Sequence, residues 1–102
     1  MKHFLIKYRL KSGHEERRRD EILAFIAALD GDPALRGNIS YRCMKVRDGA
    51  DYYHLVTAAD DAVPALQSRD FFSRYTEQTD AAADGEVEVV PLELIADTAP
   101  AS

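Results

Sequence analysis

In the run His3–Leu10 the side chains alternate, with Phe4, Ile6, Tyr8 and Leu10 on one side and His3, Leu5, Lys7 and Arg9 on the other. A two-residue period in β-prone residues predicts a first strand. The period then changes. Ile22, Phe25, Ile26 and Leu29 recur at helical spacing, Leu23 widens their stripe, and the Glu15–Arg19 stretch is expected to face solvent. Ser12-Gly13-His14-Glu15 has the S-x-x-E form of a capping box ahead of this helix, and Gly31 followed by Pro33 marks its end.

Beyond Gly37-Asn38, the run Ile39–Val46 predicts a second strand whose alternation slips: Ile39, Tyr41 and Cys43 share one face, then Met44 and Val46 the other. A bulge near Cys43-Met44 explains the slip, and so does a strand buried on both faces. Asp48-Gly49 is a hairpin turn signal, followed by a third strand over Tyr52–Thr57. Asp60-Asp61 and Pro64 open a second helix, and Ser68 reads as a second cap before Phe71, Phe72 and Tyr75, so this helix is expected bent or in two pieces. Ala81–Gly85 reads as a loop. Glu86–Ile95 reads as a fourth strand that Pro91 confines to a sheet edge or a bulge.

The order βαββαβ predicts an α+β, ferredoxin-like domain over residues 1–97, a four-stranded antiparallel sheet with two helices on one face, and a frayed tail at 98–102. The other sheet face is expected to carry Leu5, Met44, Tyr52 and Val56 beside Lys7, Arg9, Arg42 and His54. A chain of 102 residues has no third layer to cover such a face. A homodimer packed sheet to sheet is therefore expected.

Composition narrows the partners. Thirteen Lys and Arg against eighteen Asp and Glu leave a net charge of −5, which argues against nucleic acid. No apolar run approaches the roughly 20 residues that span a bilayer and no signal-peptide core opens the chain, so no membrane partner and a cytoplasmic location are expected. Cys43 is the single cysteine, and no His, Cys, Asp and Glu set has metal-ligand spacing; neither a metal nor a cofactor is expected.

His54 is the candidate catalytic residue, because a histidine titrates near working pH and can deprotonate a phenol or quinol. The plain alternative is a structural histidine at a dimer interface or in a polar core. Tyr8, Tyr41, Tyr53, Phe72 and Tyr75 are the candidate substrate-binding set. With Tyr8, Tyr41 and Tyr53 facing the helices and Tyr52 turned away, they would line an apolar pocket suited to a flat aromatic compound. Ordinary core packing explains the same residues. Cys43 reads as a small buried hydrophobe, and Arg9 and Arg42 as charges at the interface between copies. Arg17-Arg18-Arg19, flanked by Glu15, Glu16, Asp20 and Glu21, reads as ion pairs on a solvated helix face.

Tyr52-Tyr53-His54-Leu55-Val56 before an Asp-rich helix entry, with Ser68-Arg69-Asp70-Phe71-Phe72-Ser73-Arg74-Tyr75 on the second helix, resembles the antibiotic-biosynthesis-monooxygenase-type domains of the dimeric α/β-barrel superfamily. The resemblance covers nearly the whole chain. It implies a pocket between sheet and helices in each subunit, a barrel formed by the sheets of two copies, and a range of activities. These run from cofactor-independent oxygenation of phenolic polyketides and quinols to haem degradation. The sequence departs from the family pattern where Ala65 replaces a histidine and where Ser68-Arg69-Asp70-Phe71 stands for Ser-Pro-His-Phe. With no helix-borne histidine there and no tryptophan, haem chemistry is disfavoured. Two readings stay open: a cofactor-independent monooxygenase acting on a small aromatic compound, and a non-catalytic homodimer that binds a small ligand or serves as an interaction module.

Overall fold

The computed structural model describes residues 1–98; of the expected frayed tail, 99–102 lie outside the described residues. The elements are β1 (Lys2–Arg9), α1 (Glu15–Asp30), β2 (Ile39–Lys45), β3 (Asp51–Ala58), α2 (Ala62–Gln67), α3 (Asp70–Ala82) and β4 (Glu88–Leu92). The strands form one antiparallel sheet in the order β2-β3-β1-β4. This is the ferredoxin-like arrangement that the element order predicts, with the helices on one face.

Turns and edges follow local chemistry. Asp48, at φ 59°, takes the left-handed conformation in the β2–β3 hairpin, one that aspartate tolerates better than most residues. Pro91 lies on β4, an edge strand, opposite Phe4 of β1. There its missing N–H interrupts no inner ladder. The second helix is broken, as its two caps suggested, between Gln67 and Asp70. Ser68 does not cap α3, however; its hydroxyl donates to the Ala65 carbonyl at 2.7 Å. Arg69 beside it pairs with Asp32 at 2.7 Å, tying the break to the loop after α1.

Several local expectations are corrected. The capping box does not form: α1 starts at Glu15, with His14 at the N-cap and no side-chain cap bond. Ser12 is instead taken up in a turn closed by the His14 N–H on the Lys11 carbonyl, in which Gly13 supplies φ +85°. Leu23 is exposed rather than part of the buried stripe. No bulge interrupts β2, which pairs with β3 without a break from Ile39–Ala58 to Lys45–Tyr52, so Met44 simply points to the uncovered face. α3 runs on through Ala81 and Ala82, shortening the expected loop, and β4 is shorter than Glu86–Ile95.

The largest correction concerns β3. Tyr52, His54, Val56 and Ala58 are buried on the helix face, while Tyr53 and Leu55 point the other way. Residues directly opposite in an antiparallel pair share a face. Tyr8, Ile6 and Phe4 of β1 lie opposite Tyr52, His54 and Val56, so the apolar side of β1 fixes the side of β3. The uncovered face therefore carries Leu5, Met44, Tyr53, Leu55 and Leu92 with Lys7, Arg9 and Arg42. Tyr52, Val56 and His54 are not part of it.

Candidate functional site

Between sheet and helices the structure holds two adjoining features, one polar and one apolar. The polar one is centred on Arg18 of α1, whose side chain is fully buried. It continues the stripe of Ile22, Phe25 and Leu29 one turn toward the helix N-terminus. Its Nε–H donates to the Tyr8 hydroxyl at 2.8 Å, and Nη2 donates to the Tyr75 hydroxyl at 3.0 Å and to Thr79 Oγ1 at 2.7 Å. Nη1 reaches Glu21 Oε1 at 3.3 Å. The guanidinium also lies against the rings of Tyr8 and Tyr75, 5.2 and 4.7 Å from their centroids. An arginine cannot shed its proton, so it enters a core only when its donors are met. Here three hydroxyls and one carboxylate meet them.

Tyr8 extends this network to the sheet. Its hydroxyl stands 3.1 Å from His54 Nε2, in a fully enclosed setting. The Tyr8 ring stacks on Tyr52 at 5.3 Å and meets the His54 ring edge-on. Burial, with the Arg18 charge adding to it, lowers the His54 pKa to about 4, so the imidazole is neutral at physiological pH. Burial pushes the Tyr8 hydroxyl up to about 12 despite the neighbouring guanidinium, and raises Tyr41 and Tyr75 as well. The second imidazole nitrogen, His54 Nδ1, is buried without a hydrogen-bond partner among the described residues.

The apolar feature is a cavity of about 250 Å³ beside this network, walled by Phe4, Ile6, Tyr41, Val56, Leu66 and Phe72 among others. Three of these residues surround His54. Ile6 is its partner across β1, Val56 follows it on the same face of β3, and the Tyr41 ring lies 5.9 Å from its own. The volume falls just below the roughly 300–1,000 Å³ of drug-sized sites, which suits a compound with a single ring system. Cys43, opposite His54 on β2, has its thiol pushed up to about 11 by burial and is no nucleophile at neutral pH.

No protein-family model matches the sequence, and no curated protein does. Solved structures do match. An antibiotic biosynthesis monooxygenase superposes with a TM-score of 0.79 at 11% identity, over 94% of this chain and all of its own. Rv0793 from Mycobacterium tuberculosis gives 0.78 at 13%, over 96% of this chain and 98% of its own. PA3566 from Pseudomonas aeruginosa gives 0.73 at 18%, over 93% and 94%. The chain shares the fold of these structures.

Within this fold, the residues singled out from sequence divide into three groups. Tyr41 and Phe72 line the cavity. His54, Tyr8 and Tyr75 belong to the buried polar network, and Tyr75 also stacks on Phe25 at 3.8 Å. Tyr53 is on the uncovered face, half-exposed, because the register of β3 turns it away from the helices. Sequence reasoning missed Arg18, Thr79 and Tyr52. Arg18 was read as solvated, although its place four residues before Ile22 and seven before Phe25 is the signal of the buried stripe. Arg9 lies 3.9 Å from Asp51 of the same chain. No helix is long and apolar enough to cross a membrane among the described residues.

Proposed function

We propose that this protein is a cofactor-independent monooxygenase of a small phenol- or quinol-type compound held in the apolar cavity between sheet and helices. The observation that carries the proposal is that His54, a buried imidazole with one nitrogen unpartnered among the described residues, adjoins the cavity's wall residues Ile6, Tyr41 and Val56. The fold shared with a protein described as an antibiotic biosynthesis monooxygenase supports the reaction class.

The chemistry needs no external reductant. An ionised phenol is electron-rich enough to react with dioxygen at a ring C–H carbon, forming a C–O bond to a hydroperoxide. Loss of water then leaves a quinone carbonyl, so phenol and dioxygen give quinone and water with atoms and electrons balanced. The protein has to bind the ring, favour its ionised hydroxyl and keep bulk water out. Tyr41 and Phe72 offer the ring surfaces, and His54, which adjoins the wall residues Ile6, Tyr41 and Val56, is the candidate group to act on the hydroxyl.

The uncovered sheet face supports a second element of the reading. Met44, Tyr53, Leu55 and Leu92 are each more than a third exposed there. A second copy packed on this face would bury them and form the barrel. The test of the reaction is dioxygen uptake with a panel of hydroquinones and polyphenols, without flavin or metal. Uptake above the rate of autoxidation, lost in His54→Ala while the sedimentation behaviour is unchanged, is the expected result. No uptake across the panel would leave the non-catalytic binding module as the better account.

A further inference from the structure

The N-terminal half of α1 and the edge strand β2 border a second cavity, of about 500 Å³, within the range of small-molecule sites. It shares no wall residue with the apolar cavity beside His54. Ile22 and Leu23 of α1 and Cys43 and Met44 of β2 form its apolar lining. Leu23, 56% exposed where the helical stripe predicts burial, is part of this lining, and so is Met44, 44% exposed.

Tyr52 adds a polar group to these walls. Its ring is stacked on Tyr8 and the residue is 7% exposed, yet its hydroxyl has no hydrogen-bond partner among the described residues. A buried tyrosine hydroxyl usually has one. The hydroxyl is not sealed off either, since His54 Nδ1 alone among the described side-chain polar atoms is both fully enclosed and unpartnered. Its neighbours give its direction. Burial raises the Tyr52 pKa, and the Glu15 carboxylate raises it further, by more than the Arg18 guanidinium lowers it. Glu15 lines this cavity, so the hydroxyl opens on it. Tyr52 also borders a hollow at the strand ends with Asp51, Asp84 and Glu86, but none of those carboxylates acts on its hydroxyl.

Glu15 and Glu16, both at the rim, are free to face a ligand. Arg17 and Arg18 turn to Glu21 instead, at 3.6 and 3.3 Å, and Arg19 pairs with neither of the two glutamates among the described residues. Lys45, the other cation of the rim, donates to the Val46 carbonyl at 3.3 Å and, like Arg19, is exposed. We propose that this cavity binds an amphipathic primary amine, its apolar body on Ile22, Leu23 and Met44 and its ammonium on the Tyr52 hydroxyl and the Glu15 carboxylate. An ammonium has donors only, which matches an unpartnered hydroxyl oxygen beside a carboxylate. A carboxylate or phenolate in the same place would be repelled by Glu15. The net charge of −5 favours the approach of a cation as well.

The probe is phenethylamine, a cation at neutral pH, set beside phenethyl alcohol and hydrocinnamate, which keep the ring and change the polar end. Calorimetry is expected to show the amine bound at least about tenfold more tightly than either. In isotope-labelled protein it should shift the amide signals of Glu15, Leu23 and Met44 and leave those of Leu66 and Phe72 in place. Tyr52→Phe keeps the stack on Tyr8, loses no internal hydrogen bond and should weaken the amine about fivefold. Glu15→Gln, at an exposed position, should weaken it about threefold and leave the alcohol unaffected. Absence of amine binding overturns the proposal, as do equal binding of the three compounds, full affinity in either variant, and shifts centred on Leu66 and Phe72. Dioxygen uptake with phenols is independent of all these outcomes, so the oxygenase reading and this one fail separately.

Discussion

The layer between sheet and helices has two ends built on opposite principles. At one end Phe4, Tyr41, Val56, Leu66 and Phe72 line an apolar cavity. At the other, Tyr8, Tyr75 and Thr79 fill the same layer with hydroxyls, each bonded to the Arg18 guanidinium. The apolar end tolerates a void because its walls lose only dispersion contacts. The polar end tolerates none, since each unmet donor or acceptor there has a large desolvation cost. His54 lies at the seam. It satisfies one nitrogen at the polar end and leaves the other without a partner among the described residues.

The comparison is broken most directly at Arg18. Arg18→Ala strips three hydroxyls and Glu21 of their common donor, and should cost about 4 kcal/mol by urea denaturation, a large share of the stability of a domain this size. A loss below about 1 kcal/mol would mean that the network is not the structural half of the layer. Next in size is a pH effect at the seam. The folded pKa of His54 is lowered from 6.5 to about 4, so the unfolded chain binds a proton first as pH falls. Stability should be complete above about pH 6.5 and decline toward pH 4 by about 3 kcal/mol. His54→Gln should remove that slope, and an unchanged slope would assign it to other groups.

Smaller effects sharpen the contrast. Phe72→Ala, at a partly buried wall of the cavity, should cost about 2 kcal/mol, less than a full core deletion because one side already faces a void. It should also admit larger ring systems, read by the change in affinity across phenols of increasing size. Leu55→Arg on the uncovered face should change the stability of a single copy by no more than about 0.5 kcal/mol. It should abolish any dimer seen by sedimentation equilibrium, and a dimer that survives it would place the interface elsewhere.

The order of elements was legible because periods of two and of helical spacing report local geometry, as in His3–Leu10 and Ile22–Leu29. The face of β3 was not read correctly, although the information was present. A turn centred on Asp48-Gly49 pairs Lys45 with Tyr52, and stepping outward pairs Cys43 with His54 and Tyr41 with Val56. Placing Tyr41 toward the helices thus already places His54 there and Tyr53 away. Arg18 was hidden for a different reason. Its neighbours Arg17 and Arg19 are exposed, and charge composition averages over a run whereas burial selects one residue of it. Thr79 was invisible because its role depends on α3 meeting α1, a contact between residues far apart in sequence.

The lone cysteine provides a last consequence. Cys43 lies opposite His54 with its thiol raised to about 11, so in the closed protein almost none of it is thiolate at neutral pH. A labelling reagent that needs the thiolate should react faster once β2 separates from its neighbours and the thiol recovers its ordinary acidity. The chain thus carries a reporter of opening at the seam: labelling should quicken as the strand beside His54 comes free, and a ligand seated there should slow it.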